Sequence, residues 1–429
     1  MSVSEWREVR IGDIGDVVTG KTPSSKNPEY FGDEIPFVTP TDYKNYHKNI
    51  YSSERYLSQA GKEVLGNKLL PINSVIVTCI GSDMGKVAIN KVECITNQQI
   101  NSIILKRDLA DSDFIYYTLI SMQEYLKMLA RGGTTMPIVN KSTFEEIKLL
   151  LPPFPEQKAI AATLSALDDM IELNNQINKT LEEMAQAIFK SWFVDFEPFK
   201  NGEFEESELG LIPKGWRVGA IDELIKETIS GDWGKETPQG NYTEKVICIR
   251  GADIPDIAQG RRGNPATRYI LKRNLEKKRL SENEIIIEIS GGSPTQSTGR
   301  TVLITKELIN SFQEPIICTN FCRAIRLKEA TYSNFVYSLL QYLYNEKVFF
   351  TYENGTTGIK NLDITILFGQ YKTVIPSEEV FAEYHSMYSE FLRYIYENGF
   401  ECKKLSEIRD ILLPKLMSGE IRVPVEEVV

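Results

Sequence analysis

The sequence predicts an α+β protein made by tandem duplication, in which two mixed α/β domains are each followed by one long helix and the two helices pair. Three observations support this prediction: short motifs recur in the same order in both halves, a long amphipathic segment follows each set, and strand-like runs alternate with shorter helical patterns inside each set. We expect a first domain at 1–152, a first spacer helix at 153–200, an acidic linker at 201–213, a second domain at 214–374 and a second spacer helix at 375–422.

Motif recurrence is the primary evidence for the duplication. Trp6-Arg7 recurs as Trp216-Arg217, Gly20-Lys21-Thr22-Pro23 as Gly234-Lys235-Glu236-Thr237-Pro238, Thr96-Asn97 as Thr319-Asn320, and Gly133-Thr134-Thr135 as Gly355-Thr356-Thr357. The offset between copies drifts through the domains but stays at 224 along the helices. A fixed offset beside a drifting one indicates rigid spacers joined to variable domains.

The spacer segments carry apolar residues at steps of three and four, the pattern of a coiled-coil seam. Residues 155–193 lack glycine, and their only proline is at the first position, where a helix tolerates it. Two matched stripes in one chain should pair, and we expect an antiparallel coiled coil with an approximate two-fold axis. The predicted seams are Ile160, Leu164, Leu167, Ile171, Ile177, Leu181, Met184 and Ile188, and in the second copy Tyr384, Met387, Phe391, Ile395, Leu405, Ile408 and Leu412.

Two asparagines, Asn174 and Asn398, occupy matching seam positions where large apolar residues are expected. A buried asparagine pair can fix the register of two helices at a cost in stability. Alternatively, both side chains are solvated near a kink at Gly399. The sequence leaves the two readings open.

The domains combine short β-like runs with amphipathic helices. The predicted strands are Leu70–Cys79, Lys86–Ile89, Asn101–Leu105, Glu284–Ile289, Arg300–Ile304 and Cys318–Leu327, and the predicted helices are Phe114–Leu129 and Tyr332–Phe349.

Polar, glycine-bearing loops of the same type recur between strands in both copies, and such loops suit contacts to base edges and phosphates. The basic side chains would hold phosphates, and the Asn, Gln, Ser and Thr side chains would reach bases or position the loops. The candidate DNA-binding residues are Lys21, Thr22, Ser82, Lys86, Asn97, Gln98, Thr134, Thr135 and Lys141 in the first domain, and Lys235, Arg250, Ser290, Arg300, Asn320, Thr356, Thr357 and Lys360 in the second.

The charge distribution separates domains from helices. The net charge is −10, yet residues 1–150 carry −1 and residues 214–374 carry +4, whereas 151–213 and 375–429 carry −8 and −5. The acidic helices should therefore bind protein rather than DNA, and Ile171, Asn174, Leu181, Met184, Ile395, Asn398, Leu405 and Ile408 are the candidate coiled-coil and partner positions. No apolar stretch is long enough for a membrane helix, and six scattered cysteines without a secretion signal predict a cytoplasmic protein.

Signals of catalysis are weak. Residues 15–22 match the P-loop pattern, but two nearby prolines prevent a helix from starting where phosphate binding needs one. Asn27-Pro28-Glu29-Tyr30 lacks the second proline of the amino-methyltransferase loop that it resembles. With His47 and His385 as the only histidines, and with Cys318 and Cys322 on a strand-like run, we expect no catalytic site, no metal and no cofactor.

Five motifs together identify a resemblance over roughly residues 5–422 to the specificity (S) subunits of type I restriction–modification systems. They are Gly20-Lys21-Thr22-Pro23-Ser24, Gly132-Gly133-Thr134-Thr135, Leu151-Pro152-Pro153-Phe154-Pro155-Glu156-Gln157, Phe189-Lys190-Ser191-Trp192-Phe193-Val194-Asp195-Phe196 and Leu412-Leu413-Pro414-Lys415-Leu416-Met417-Ser418-Gly419-Glu420-Ile421.

The resemblance implies that each domain reads one half of a bipartite, asymmetric double-stranded DNA site. It also implies that the helices set the unread spacer and bind two methyltransferase (M) subunits, which restriction and translocase (R) subunits then join. The chain itself would do no chemistry. The competing hypothesis is a bilobed adaptor that binds two proteins and no nucleic acid, which the overall acidity favours slightly.

Overall fold

The computed structural model describes residues 6–44, 48–81, 83–130, 138–291, 296–355 and 360–424. The chain forms two compact units, one made of Met1–Glu172 with Lys404–Val429 and the other of Leu173–Lys403. Each unit contains one mixed α/β domain together with a part of each of two forty-residue helices. The predicted fold class is confirmed.

The first domain has a main sheet of five strands in the order β2-β10-β7-β8-β5 and a smaller sheet in the order β3-β6-β4-β9, while β1 pairs with β11 beside the helices. Its strands are β1 (Arg7–Arg10), β2 (Gly15–Thr19), β3 (Phe31–Gly32), β4 (Ile35–Val38), β5 (Asn49–Ile50), β6 (Tyr56–Leu57), β7 (Val75–Thr78), β8 (Val87–Asn90), β9 (Ile95–Thr96), β10 (Ile100–Leu105) and β11 (Lys148–Leu151). Its helices are α1 (Ile11–Ile14), α2 (Gln59–Val64), α3 (Ser112–Ser121), α4 (Gln123–Ala130) and α5 (Lys141–Glu145).

The first long helix, α6 (Phe154–Phe193), leads to the segment expected to be an acidic linker. That segment contains an antiparallel hairpin of β12 (Phe204–Ser207) and β13 (Gly210–Pro213). Phe204 packs edge-on against Phe196, which lies just beyond the helix.

The second domain has a four-stranded sheet in the order β15-β22-β18-β20 and two three-stranded sheets, β17-β16-β21 and β19-β24-β23, while β14 pairs with β25. Its strands are β14 (Arg217–Ala220), β15 (Ile225–Ser230), β16 (Tyr242–Ile249), β17 (Ala266–Leu271), β18 (Ile285–Glu288), β19 (Ser290–Gly291), β20 (Thr301–Leu303), β21 (Ile316–Cys318), β22 (Cys322–Leu327), β23 (Glu353–Asn354), β24 (Lys360–Leu362) and β25 (Lys372–Ile375). Its helices are α7 (Ile254–Ala258), α8 (Lys272–Lys278), α9 (Lys306–Asn310), α10 (Ser333–Asn345) and α11 (Ile364–Gln370), and α12 (Glu378–Met417) follows.

Strand pairing confirms the duplication independently of sequence motifs. In the first domain β4 pairs antiparallel with β6 and parallel with β9, and in the second β16 pairs antiparallel with β17 and parallel with β21. The central order β2-β10-β7-β8 likewise matches β15-β22-β18-β20. The two domains therefore share one framework.

Two predicted elements are interrupted. The predicted helix Phe114–Leu129 is divided at Met122 into α3 and α4. The predicted strand Cys318–Leu327 is broken by a turn, in which the amide of Cys322 donates to the carbonyl of Thr319 at 3.0 Å.

The long helices run antiparallel, as predicted. In the first unit, Ile160 and Leu164 near the start of α6 share a core with Leu416 near the end of α12. In the second unit, Phe189 and Phe193 near the end of α6 share a core with residues near the start of α12, including Tyr384. Among the described residues, no helix is long and apolar enough to cross a membrane.

The predicted seam is correct at Ile160, Leu164, Ile171 (8% exposed) and Ile395 (3%), but it is wrong in the second half of α6. There, Ile177 and Met184 are 40% and 46% exposed, and Ile408 on α12 is 46% exposed. Leu181 and Leu405 are half-buried. The buried positions that follow Ile171 in α6 are Asn174, Asn178, Ala185, Phe189 and Phe193.

The two seam asparagines are both hydrogen-bonded within the second unit, but not to each other. Asn174 is buried and donates to Glu401 at 2.9 Å. Asn398 donates at 2.9 Å to Asn178, which in turn donates to the carbonyl of Ile395 at 2.9 Å. The solvated reading is therefore wrong, and the polar layer includes an asparagine that the seam pattern did not single out.

Gly399 allows the backbone of α12 to lie in close contact with the backbone of the loop after α7. A Cβ atom on Gly399 would lie 2.2 Å from the carbonyl oxygen of Gly260. Gly260 itself has a positive φ of 75°, and a Cβ there would lie 2.0 Å from the carbonyl oxygen of Ile395. These two glycines bring the loop after α7 directly against α12.

We expect Gly399→Ala to lower the free energy of unfolding by about 1–3 kcal/mol, because neither backbone can retreat without disturbing the core. Gly369→Ala in α11 is the matched control, since its Cβ would meet its nearest neighbour at an ordinary 3.6 Å. The control should be neutral or stabilising by up to about 1 kcal/mol. Urea unfolding followed by circular dichroism compares the two, and equal stabilities would contradict the close-packing argument.

Candidate nucleic-acid interface

In the first domain, backbone hydrogen bonds bring together the predicted loops at one end of the main sheet. Lys21 follows β2, and its amide donates to the carbonyl of Thr96 at 2.9 Å. The Thr22 hydroxyl donates to the Gln98 side chain at 2.6 Å. Lys21 and Gln98 are exposed. Predicted residues from two distant loops thus share one surface.

Further loops join the same end of the sheet around Cys79, whose amide donates to the carbonyl of Gln99 at 2.7 Å and whose carbonyl accepts from Val139 at 3.0 Å. This places Lys86, at the end of the following turn, and Lys141, at the start of α5, near the first two loops. Lys86 is paired with Asp83 at 2.6 Å, and Lys141 with Glu145 at 3.5 Å.

The buried side chain of Asn97 stabilises the conformation of its own loop through hydrogen bonds to Gln99. It is 8% exposed, donates to the Gln99 side chain at 3.0 Å and accepts from the Gln99 amide at 3.0 Å. Of the two roles predicted for it, the geometry favours positioning the loop. The other first-domain candidates, Ser82, Thr134 and Thr135, lie outside the described residues, as does His47.

The equivalence predicted between Gly20 and Gly234 is wrong. Gly20 directly follows β2, and a Cβ there would lie 2.3 Å from the carbonyl oxygen of Thr96. Gly231 directly follows β15, the matching strand, and a Cβ there would lie 2.0 Å from the carbonyl oxygen of Thr319. Gly231 is therefore the counterpart of Gly20, and Asp232 takes the place of Lys21.

In the second domain, four basic residues predicted to bind DNA each contact an acidic or aromatic side chain. Arg250 binds Asp253 through two nitrogens at 3.0 Å, and Arg300 binds Glu288 at 2.6 and 2.9 Å. These carboxylates raise the pKa of both arginines, mainly through the side-chain hydrogen bonds. The other two are Lys360, which pairs with Glu353 at 2.9 Å, and Lys235, whose Nζ lies 5.6 Å from the Tyr242 ring centre.

The remaining second-domain candidates are polar. Ser290 donates to Asn361 across β19 and β24, so its hydroxyl braces a loop. Asn320 is exposed in the turn between β21 and β22. Thr356 and Thr357 lie outside the described residues. All of these nucleic-acid contacts stay predictions.

Sequence reasoning missed a basic helix, α8, in the second domain. Within the part of the chain that the structure describes, no carboxylate lies at ion-pair distance from its exposed cations, and the run of five basic residues at 272–279 was the signal that could have found them. The exposed cations are Lys272, Arg273, Lys277 and the adjoining Arg279.

The structure also places the residues that suggested catalysis. The P-loop match falls on β2 and an irregular segment, and no helix begins at residues 20–27. His385 lies half-buried on α12, and burial lowers its pKa. Burial raises the pKa of the Cys322 thiol to about 12. In the described ranges, no group of three or more His, Cys, Asp or Glu side chains could hold a metal ion.

Comparison with known proteins gives one consistent result. Residues 3–183 match the family described as type I restriction modification DNA specificity domain. The chain is 34% identical over 98% of its length, and 94% of the relative's, to the type I restriction enzyme MjaIX specificity subunit of Methanocaldococcus jannaschii. It is 23% identical to the HindI specificity subunit of Haemophilus influenzae, over 98% and 100% of the two chains.

The fold has a counterpart among solved structures. The S subunit of a type I restriction–modification system from M. genitalium superposes with a TM-score of 0.58 at 19% identity, covering 97% of each chain. These findings do not favour the protein-binding adaptor. With two matching domains, two antiparallel helices and a full-length relative at 34% identity, the chain belongs to the family of type I restriction enzyme specificity subunits.

Proposed function

We propose that this chain is the non-catalytic DNA-reading subunit of a type I restriction–modification complex. Each domain reads one half of a bipartite, asymmetric duplex site, and the helices set the unread spacer. Two M subunits bind the helices, R subunits join through that complex, and the chemistry is done by these partners.

One observation carries the proposal: equivalent strand ends in two matching domains bear different loops. Gly20 and Gly231 make the same close approach to Thr96 and Thr319, yet the next residue is Lys21 in one domain and Asp232 in the other. Base contacts from different side chains discriminate different sequences, by about 1–3 kcal/mol for each good bidentate pair. A shared framework with unlike loops therefore suits two unlike half-sites.

The exposed face of α6 supports a role for the helices in assembly. Leu173, Ile177 and Met184 are 50%, 40% and 46% exposed at spacings of four and seven residues, which place them on one stripe. A contiguous exposed apolar stripe of this kind is characteristic of a protein-interaction site.

Loss of Lys21 or Lys86 should weaken binding to all DNA sequences alike. For the complex with its M subunits, each change to Ala should flatten the dependence of log K on log salt by about one unit, because each lysine neutralises one phosphate. Titrations of cognate and random duplexes by fluorescence anisotropy measure both quantities. Lys148→Ala, which removes an exposed lysine of β11 that pairs with Glu8 of β1, is the matched control and should change neither.

The double substitution Ile177→Asp and Met184→Asp should abolish co-purification with the M subunit while the chain stays folded, because both side chains are already exposed. Substituting the buried Ile171 would instead disturb the core. Val64→Asp, at a 55% exposed position on α2, is the control and should leave the complex intact. If the double variant still formed an intact complex, the exposed face of α6 would not be the binding site for the M subunit.

A further inference from the structure

The second domain has an unpaired basic surface where the matching part of the first domain is neutral. Helix α2 follows β6, and α8 follows the equivalent strand β17. Residues 59–66 carry one lysine and one glutamate, net zero, whereas residues 272–279 carry five basic residues and one acid, net +4. The excess charge is thus local to one helix on a shared framework.

The arrangement of α8 is partly unfavourable for the helix itself. Lys272 and Arg273 lie in its first turn, where the helix dipole disfavours positive charge, although Lys277 and Lys278 in its last turn are favourably placed. Arg273 and Lys277 are four residues apart on one face, and like charges at that spacing repel. Glu276 is the one carboxylate in this segment, and it leaves a net charge of +4 that a polyanion outside the chain would balance.

The loop after β15 extends this surface. The Lys278 ammonium donates to the Gly231 carbonyl at 2.9 Å, and Asn274 donates to Asp232 at 2.6 Å, which hold the start of the loop against α8. Further along, Lys235 exchanges two backbone hydrogen bonds of 2.9 Å with Tyr269 on β17. Loop, strand and helix form one continuous face.

Arg268 on β17 is a buried cation within this face. Its guanidinium carbon lies 3.7 Å from the centre of the Trp233 ring, its side chain is 10% exposed, and its Nε has no hydrogen-bond partner among the described residues. Its ion-pair partner is Glu236 at 3.1 Å, whose own side chain is 83% exposed. A buried cation is thus paired with a carboxylate whose own side chain is largely exposed to solvent.

We infer that α8 and the loop at 231–239 form a DNA-phosphate contact surface that α2 does not offer, with Glu236 occupying the Arg268 site in the DNA-free chain. The inference rests on the proposed function. Arg268, Lys272, Arg273, Lys277 and Arg279 bind the duplex backbone, and Glu236 is displaced by a phosphate. The second domain therefore contributes most of the sequence-independent affinity.

The test measures salt-dependent binding of the full chain with its M subunits to cognate and random duplexes. The triple variant Lys272→Gln, Arg273→Gln, Lys277→Gln should bind both duplexes at least tenfold more weakly and flatten the salt slope by roughly two to three units, with the preference for the cognate duplex unchanged. The charge-matched control, Lys200→Gln, Lys214→Gln, Lys372→Gln, should lower the slope by less than one unit.

Glu236→Gln gives a test of opposite sign, because the neutral amide releases Arg268. It should bind both duplexes several-fold more tightly, whereas Glu208→Gln on the hairpin should not. Wild-type slope and affinity in the α8 variant, or no gain in Glu236→Gln, would overturn the inference. If the wild-type complex shows no preference for any sequence, the proposed function fails instead.

Discussion

The apolar stripe of each long helix is buried by two surfaces at once, the other helix and one domain. In the first unit, Ile160 and Leu164 of α6 share a core with Phe114 of α3 and Leu416 of α12. In the second unit, Phe193 packs edge-on against both Phe335 of α10 and Tyr384 of α12, with ring centres 4.9 Å apart in each pair. Since burying each such side chain contributes about 1.5–3 kcal/mol, a domain cannot turn on its helices without losing much of that core. The loops at the sheet end are held in place accordingly.

This shared burial explains which part of the helix pairing the sequence could predict. Steps of three and four identify a stripe, and they located Ile160, Leu164 and Ile395 correctly. Beyond Ile171 the second domain also packs against α6, and the closest approach selects small or polar residues such as Asn178 and Ala185 over the larger Ile177 and Met184. A pattern that counts large apolar residues follows the wrong face there. The information lies in the neighbouring backbone, at Gly260 and Gly399, and not in the helix sequence.

The candidate interface was predictable to a similar extent. Loop composition identified Lys21, Thr22, Lys86 and Gln98, which the strand ends bring together. Motif similarity gave the wrong equivalence at Gly234, because both segments contain the sequence Gly-Lys. The structural counterpart of Gly20 is Gly231, where the carbonyl oxygen of Thr319 leaves no room for a Cβ atom. Charge counted over a whole domain concealed α8, where the excess is confined to eight residues. The sequence also does not show which charged side chains pair in the fold. Arg250 and Arg300 were therefore predicted to bind phosphates, although buried carboxylates hydrogen-bond both.

Both domains place positive charge beside the end of an equivalent strand, but on different structural elements. In the first, the residue after the close-packed glycine is the exposed Lys21. In the second it is Asp232, which turns inward to accept from the Gly234 amide at 3.0 Å and from Asn274 at 2.6 Å. An inward carboxylate fixes the longer loop against α8, and the cations then lie on that helix. Because the glycine contact and the strand order are unaffected by this exchange, loop and helix chemistry can change while the framework that orients them stays the same.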